Sequence, residues 1–436
     1  MARRTKRGKG VKLDPVTFEI LRHRVWAINE EACTTLRLVS GSPVANEAFD
    51  MDCGLLTADG QVFVVGAYIV IHATSVDLVV QDIMREYKDN PGINEGDMFI
   101  CNDPYVGAQH QNDTVVCGPI HWKGELIGWS GAVIHQIDVG GGKAGQVQPG
   151  AESIFGEQPL LPPVKIVERG VLRKDIERDY LRRSRLPQLT GLDMRAKIAA
   201  VNVTRKRIQE LIEQRGLDTY KALVKGIIDM AEKRFRARLR EFPDGTWRHR
   251  SYIDYDGKIY TCLCSMTKEG DALTFDFRGT DPQAPAVINA PYGSLVGHIL
   301  VSVFSYLCYD IPWCPAGILK AIKIISEEGT VVHAKWPAGV CKSTTAGGWT
   351  VINLTSVTLA KMFASSPKHR DHFMSSWMGC MTVEELFGID QRGQYFGGTV
   401  LDSMAGGGGA RHNRDGLDTG GFLDSVSAII SNVEYY

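Results

Sequence analysis

The sequence predicts an α+β protein of several domains, with mixed and antiparallel sheets and long flanking helices. At 436 residues the chain exceeds what one hydrophobic core usually supports, since domains cluster at roughly 100 to 200 residues. Helical spacing of apolar residues dominates from 173 to 240, whereas strand-like alternation follows Phe242-Pro243-Asp244-Gly245. We therefore expect an α/β domain at 13–170, a helical segment at 171–241 and a second α/β domain at 242–436.

Composition excludes several functional classes. The chain is 44% hydrophobic and 23% charged with a formal net charge of −1, as in ordinary globular proteins, so no overall field attracts nucleic acid or an anionic membrane. Residues 1–12 form a basic stretch that we expect to be a disordered tail, and no signal-peptide core follows it. No apolar run approaches the roughly 18 residues of a membrane span. The ten cysteines include no Cys-x-x-Cys pair, which suits free thiols in the cytoplasm.

The first helix should begin at Asp14-Pro15, where aspartate can cap and proline is preorganised for the first turn, and continue through Leu36. Two strands are predicted within 48–65, joined at Asp59-Gly60. Asp50 and Asp52 alternate on the first of these strands and share one face. Solvent is the default environment for such a pair. The alternative is that both carboxylates line a cleft, because they lie near the apolar segment that ends at His72.

A helix is expected at 75–87, followed by a strand at 98–101 that should stop before Pro104, which cannot donate to a sheet. Strands at 114–120 and 126–134 then form a hairpin. Later elements follow the same rules: strands at 247–255, 258–266, 273–277 and 322–332, and helices at 296–307 and 347–364.

The hairpin is bracketed by two copies of one pattern, His110-Gln111-Asn112-Asp113 and His135-Gln136-Ile137-Asp138. Because the first copy precedes one strand and the second follows its neighbour, both emerge at the same end of the hairpin. Imidazole nitrogen and carboxylate oxygen are suitable ligands for Mn²⁺, Zn²⁺ and Fe²⁺, and of these we favour Mn²⁺.

We assign His110, Asp113 and His135 as metal ligands. Asp138 is either a fourth ligand or the acceptor for an N–H of a ligand imidazole, and His72 and Asp138 are the candidate catalytic residues. The alternative is a hydrogen-bonded polar cluster without metal. No Ser-His-Asp order, Gly-x-Ser-x-Gly elbow, dinucleotide fingerprint or P-loop is present, so any ATP must be bound by another chain.

Motifs along nearly the whole chain resemble the hydantoinase B and oxoprolinase B family. The resemblance is carried by these segments: Asn102-Asp103-Pro104-Tyr105, His110 to Asp113, His135 with Asp138-Val139-Gly140-Gly141, Pro162-Pro163-Val164-Lys165, 195–202, Phe242-Pro243-Asp244-Gly245, 276–282 and Asn289-Ala290-Pro291. Within the family, the paired histidine motifs and the segment 180–185 look most similar to the large, alpha-type subunits of ATP-dependent ketone carboxylases, the acetone and acetophenone enzymes.

The resemblance implies a metal at His110, Asp113 and His135, and an ATP-binding partner of the hydantoinase A type, with or without a small third subunit. In a carboxylase the ketone would be activated as a phosphoenol and bicarbonate as carboxyphosphate, and the metal would stabilise an enolate during carboxylation. In hydrolytic relatives a phosphorylated lactam or hydantoin would be opened instead. A non-catalytic scaffold is the third hypothesis. Relatives usually continue beyond the position of Tyr436, so we expect a C-terminal extension to be lacking here.

Overall fold

The computed structural model describes residues 13–375, 383–401 and 409–416. The predicted basic tail, residues 1–12, lies outside these ranges. The fold class is the expected one: long helices pack against one antiparallel and one mixed sheet.

The first helix, α1 (Pro15–Val39), begins as predicted. The Asp14 side chain accepts a hydrogen bond from the Thr17 N–H (3.0 Å), and Pro15 is the first helical residue. One face of α1 is buried through Leu21, Val25 and Leu36, which places the helix against the sheet that follows.

A seven-stranded antiparallel sheet forms the first half of the protein, in the order β2-β1-β5-β4-β3-β6-β7. Helix α1 packs on one face of this sheet, and the helix at 73–86 packs on the opposite face. The elements up to the end of the sheet are α2 (Pro43–Asn46), β1 (Met51–Leu56), β2 (Val62–Val65), α3 (Ala73–Glu86), β3 (Met98–Cys101), β4 (Asp113–Trp122), β5 (Glu125–His135), β6 (Val164–Glu168) and β7 (Val171–Leu172).

The predicted hairpin is β4–β5, the centre of this sheet. Its register sets Asp113 directly opposite His135, and a bulge at Ile120/His121 lies near the turn. On its other edge β5 pairs with β1, which brings Met51 opposite Ile134. Residue 50 therefore lies beside the end of β5.

Three further helices follow the sheet: α4 (Lys174–Arg183), α5 (Pro187–Arg215) and α6 (Leu217–Leu239), and α4 and α5 pack on the same face as α1. The helical pattern predicted as one stretch is broken twice. It is interrupted after α4 at Ser184, and again at Gly216, whose φ of 86° lies in the left-handed region that favours glycine.

The second half contains a four-stranded mixed sheet in the order β11-β10-β9-β8, a pair of buried helices and a two-stranded hairpin. The elements are β8 (Gly245–Tyr255), β9 (Lys258–Glu269), β10 (Ala272–Asp276), α7 (Tyr292–Leu307), α8 (Pro315–Ile318), β11 (Ile322–Ile325), α9 (Gly347–Ala364), β12 (Val383–Ile389) and β13 (Tyr395–Leu401). The strand predicted over 322–332 was too long. It ends at Ile325, opposite Asp276 at the end of its partner β10.

The two halves share packing. The largest buried apolar cluster contains Leu21 and Leu55 from the first half as well as Phe275 and Phe304 from the second. The division proposed at residue 242 stays a prediction. Among the described helices, none has both the length and the apolar character needed to cross a bilayer; the apolar helix α7 has 16 residues and is buried.

Candidate metal centre

The β4–β5 hairpin assembles the predicted ligands. Asp113 and His135 meet across the ladder, with 3.0 Å between Asp113 Oδ1 and His135 Nδ1. A turn closed by the Asp113 N–H and the His110 carbonyl (3.1 Å) brings His110 Nε2 to 3.2 Å from the same Oδ1. The structure therefore brings His110, Asp113 and His135 into one cluster.

Two further residues join this cluster from neighbouring elements. His72, just before α3, has its Nδ1 3.8 Å from Asp113 Oδ2 and its Nε2 3.1 Å from Asp50 Oδ1. Asp50 is held beside β5 because its carbonyl accepts the His135 N–H (3.0 Å), and its Oδ2 lies 3.8 Å from His135 Nδ1. Ligand atoms of His110, Asp113 and His135 lie within 4.8 Å of one another, as do those of Asp50, His72 and Asp113.

The electrostatics of the cluster depend on Asp113. Burial opposes its ionisation, but the neighbouring imidazoles of His110 and His72 hold the pKa of the Asp113 carboxyl well below its usual range. Burial also opposes charge on His72 and His135. The carboxylates of Asp113 and Asp50 outweigh burial, raising the pKa of His72 to about 9 and also raising the pKa of His135. The site is thus built to hold positive charge.

The residues present fit a divalent ion. Three buried atoms of the cluster have no hydrogen-bond partner: Asp113 Oδ2, His72 Nδ1 and His110 Nδ1. Buried polar atoms without partners are costly and uncommon, and a cation would satisfy those that can turn toward it. Imidazole nitrogen and carboxylate oxygen suit Mn²⁺, Fe²⁺ or Zn²⁺.

The members of the cluster differ in their exposure to solvent. The side chains of His72, His110 and Asp113 are 1–2% exposed, whereas His135 is 6% and Asp50 is 15% exposed. Asp50 is therefore the most accessible member of the cluster.

Asp138 faces a different partner. Its carboxylate accepts hydrogen bonds from the Arg185 N–H (2.6 Å) and from the Arg185 guanidinium (2.9 Å), and it is fully buried. A buried carboxylate needs such a counter-charge, and Arg185 supplies it. Asp138 belongs to neither ligand group. Its assignment as a catalytic residue stays a prediction, and this placement favours a structural role.

The loop carrying the first ligands is tied to the second half of the protein. The Gln111 amide donates to Glu157 Oε2 (2.6 Å), and Glu157 Oε1 accepts the Cys341 N–H (2.8 Å). Burial raises the pKa of Glu157. Since Gln111 is adjacent to His110, this link fixes the ligand loop against residues that lie far away in sequence.

Asp50 is the ligand candidate that the sequence did not assign. Its alternation with Asp52 and its nearness to His72 were the available signals, but the pairing of β1 with β5 that brings it to His135 joins distant segments. Asp52 itself is buried away from solvent, which raises its pKa to about 8.

Comparison with known proteins matches residues 14–436 to the family model described as hydantoinase B/oxoprolinase. The acetophenone carboxylase delta subunit of Aromatoleum aromaticum is 27% identical over 97% of this chain and 62% of its own length. The caprolactamase subunit beta of Pseudomonas jessenii is 26% identical over 96% of this chain and 71% of its own length.

Solved structures give the same fold. A nucleotide-free acetone carboxylase structure matches with a TM-score of 0.91 at 21% identity, covering 97% of this chain and 57% of that chain. The ATP-dependent caprolactamase structure from Pseudomonas jessenii matches with a TM-score of 0.88 at 24% identity. The match covers 98% of this chain and 73% of the caprolactamase chain. The chain thus spans about three fifths of the acetophenone carboxylase subunit and of the acetone carboxylase chain.

Proposed function

The chain belongs to the hydantoinase B/oxoprolinase family, and from this premise we propose that it is the metal-bearing catalytic subunit of an ATP-dependent ketone carboxylase. The observation that carries the proposal is the buried cluster in which Asp113 is shared by two groups of possible ligands. Such a cluster is unlike an ordinary structural core, since burying several ionisable groups together is costly unless a charge of opposite sign joins them.

In this proposal His110, Asp113 and His135 would hold the ion, and Asp50, the most exposed member of the cluster, would lie beside it. His72 is a catalytic residue beside it, between Asp50 and Asp113. A bound divalent ion, Mn²⁺ in preference to Zn²⁺ or Fe²⁺, would supply the positive charge that stabilises an enolate oxygen. The chain's own contribution is to keep that charge in a buried, rigid pocket.

ATP would be used on another subunit, because the sequence has no P-loop. We propose a partner of the hydantoinase A type, with or without a small third subunit, that prepares the phosphorylated ketone and carboxyphosphate from bicarbonate. Two relatives are named as a delta subunit and a beta subunit, which supports the proposal that this chain also works in a complex of several chains. We also propose a cytoplasmic location. The nine cysteines in the described ranges are buried and free, as is usual for proteins of a reducing compartment.

A second candidate is a cyclic-amide hydrolase subunit, favoured by the match to a caprolactamase and to the 5-oxoprolinase of Dictyostelium discoideum, which is 27% identical over 93% of this chain. The same charged pocket would then stabilise the oxyanion formed when a phosphorylated lactam is opened. A scaffold without catalysis is the third candidate. It leaves the buried atoms without partners unexplained.

The test is to purify the native complex, measure its metal and assay acetone, acetophenone and hydantoin with ATP, with and without bicarbonate. The carboxylase proposal expects about one divalent ion per chain and ketone turnover that needs bicarbonate. Ring opening of hydantoin without bicarbonate would establish the hydrolase instead.

His110→Ala should lose both metal and turnover, while His23→Ala, at an exposed helical histidine, should keep both. Absence of stoichiometric metal, or full turnover in a His135→Ala complex that still assembles, would support the scaffold.

A further inference from the structure

A cavity of about 330 Å³ lies where α3 of the first half of the protein meets α7 and β11 of the second half. Its walls are largely apolar. Val296 on α7 is buried, and Ile322 and Ile324 on β11 line the cavity on the opposite face of the strand from the exposed Lys323. Small-molecule sites have volumes of about 300 to 1,000 Å³, so this cavity suits a small ligand with an apolar body.

One acidic side chain lines this cavity. Asp77 lies on α3, and its Oδ1 is buried without a hydrogen-bond partner. In the described ranges of the chain, no lysine, arginine or histidine forms an ion pair with Asp77. Burial raises the pKa of the Asp77 carboxyl to about 7, and no neighbouring cation opposes this rise. The structure therefore places a carboxylate in an apolar cavity without a counter-charge.

Two other carboxylates that are shielded from solvent do have a counter-charge. Asp82, on the same helix as Asp77, pairs with Arg85, and the buried Asp138 pairs with Arg185 (2.9 Å). An unpaired carboxylate against apolar side chains is costly, and an aliphatic residue would cover the wall of the cavity without that cost. A positively charged ligand would remove the cost for Asp77.

An aromatic ring lies near the carboxylate. Tyr292, the first residue of α7, lines the same cavity. Burial raises the pKa of the Tyr292 hydroxyl, and the charge of Asp77 adds to this effect, so the two side chains lie near one another. The Tyr292 ring also packs against His333, with 5.1 Å between the ring centroids. Aromatic rings attract cations that lie over their faces, so the acidic end of the cavity favours positive charge in two ways.

We propose that this cavity binds a small primary amine as its ammonium ion, with the ammonium beside Asp77 and the alkyl part against the apolar wall. An ammonium group brings three N–H donors and one positive charge, so it supplies both the hydrogen bond and the counter-charge that Asp77 lacks. A metal ion is a poorer match, because a single carboxylate offers too few ligands. Asp77 belongs to neither ligand group of the metal centre, so the amine site does not depend on the carboxylase proposal.

The test is calorimetric titration of hexylamine into the native complex at pH 8. At this pH hexylamine is an ammonium ion and the Asp77 carboxyl is largely ionised. We expect saturable binding of about one hexylamine per chain. Hexanol and hexanoate have similar alkyl chains without the positive charge, and both should bind at least about 10-fold more weakly. This comparison uses the wild-type protein and needs no variant to fold.

Three variants locate the site. Asp77→Asn keeps the shape of the side chain and should weaken hexylamine binding at least about 10-fold, with metal content unchanged. Ile324→Trp should abolish binding by filling the cavity while Asp77 is retained. Glu86→Gln is the control, because Glu86 lies on the same helix with its side chain 54% exposed, and it should bind hexylamine as wild type does.

Each contrary result is decisive. Hexanol that binds as tightly as hexylamine, or undiminished hexylamine binding in Asp77→Asn, would show that the cavity selects only for apolar bulk and would overturn the proposal. Hexylamine binding that survives in a folded Ile324→Trp complex would place the amine elsewhere and overturn it as well. The same holds if the wild-type complex shows no saturable binding. None of these results bears on ketone turnover, so the proposed function stands or falls separately.

Discussion

Lys197 on α5 is buried completely, and its Nζ has no hydrogen-bond partner. Burial lowers its pKa from the ordinary 10.5 to about 7, although Asp193 and Asp113 act in the opposite direction. The amine therefore loses its proton far more easily in the folded protein than in the unfolded chain. We predict that Lys197→Met, which keeps the length of the side chain, stabilises the protein.

The size of the effect follows from linkage. The unfolded chain binds more protons than the folded protein between pH 7 and 10.5, so wild-type stability rises with pH across that window. At about 1.4 kcal/mol for each tenfold change in proton affinity, the cost of burying the amine is about 4 kcal/mol at pH 7 and about 2 kcal/mol at pH 9. Lys197→Met removes this cost. Asp193 retains its hydrogen bonds from the N–H groups of Gly41 (3.0 Å) and Ser42 (3.2 Å).

The assay is urea unfolding of both proteins at pH 7 and pH 9. Lys206→Met serves as the control, since Lys206 lies on the same helix with its side chain 75% exposed. The variant should gain stability at both values, with the larger gain at pH 7. A variant less stable than wild type at pH 7, or a difference that does not change with pH, would refute the reasoning.

Three other predictions concern the centre and its support. Asp113→Asn should lower metal affinity at least about 100-fold in equilibrium dialysis, because it removes the carboxylate shared by both ligand groups; undiminished affinity would contradict the assignment. Metal affinity should rise with pH up to about 9, because the ligand His135 must be neutral to bind an ion and a protonated His72 beside the ion would repel it; calorimetry in two buffers should detect the released protons, and their absence would count against this prediction. Arg185→Ala should cost about 3 to 5 kcal/mol in unfolding free energy by leaving Asp138 buried without its counter-charge, yet metal content should stay at the wild-type level; loss of metal would place Asp138 in the centre.

Local signals in the sequence predicted much of the first half of the protein. Asp14 and Pro15 define the start of α1 because capping depends only on neighbouring residues. The β4–β5 hairpin was predictable for the same reason, and with it the meeting of Asp113 and His135 across the ladder. Short-range geometry determines both features.

The parts that sequence reasoning missed depend on distant pairings. Asp50 reaches the centre only because β1 pairs with β5, whose last residue, His135, lies 85 residues farther along the chain than Asp50. The end of β11 at Ile325 is likewise set by the length of its neighbour β10. Neither alternation nor composition contains this information.

The direct opposition of Asp113 and His135 makes the centre depend on the fidelity of strand pairing. If β5 slipped by one residue along β4, Asp113 would face a neighbour of His135, and the histidine would turn to the opposite face of the sheet. The slip would leave a sheet with most of its backbone hydrogen bonds but no place for an ion. Because β1 is paired to the other edge of β5, a slip of β5 would have to break its alignment with β1 as well as with β4. The strand that follows the candidate ligand Asp50 thereby also protects the alignment of the other ligands.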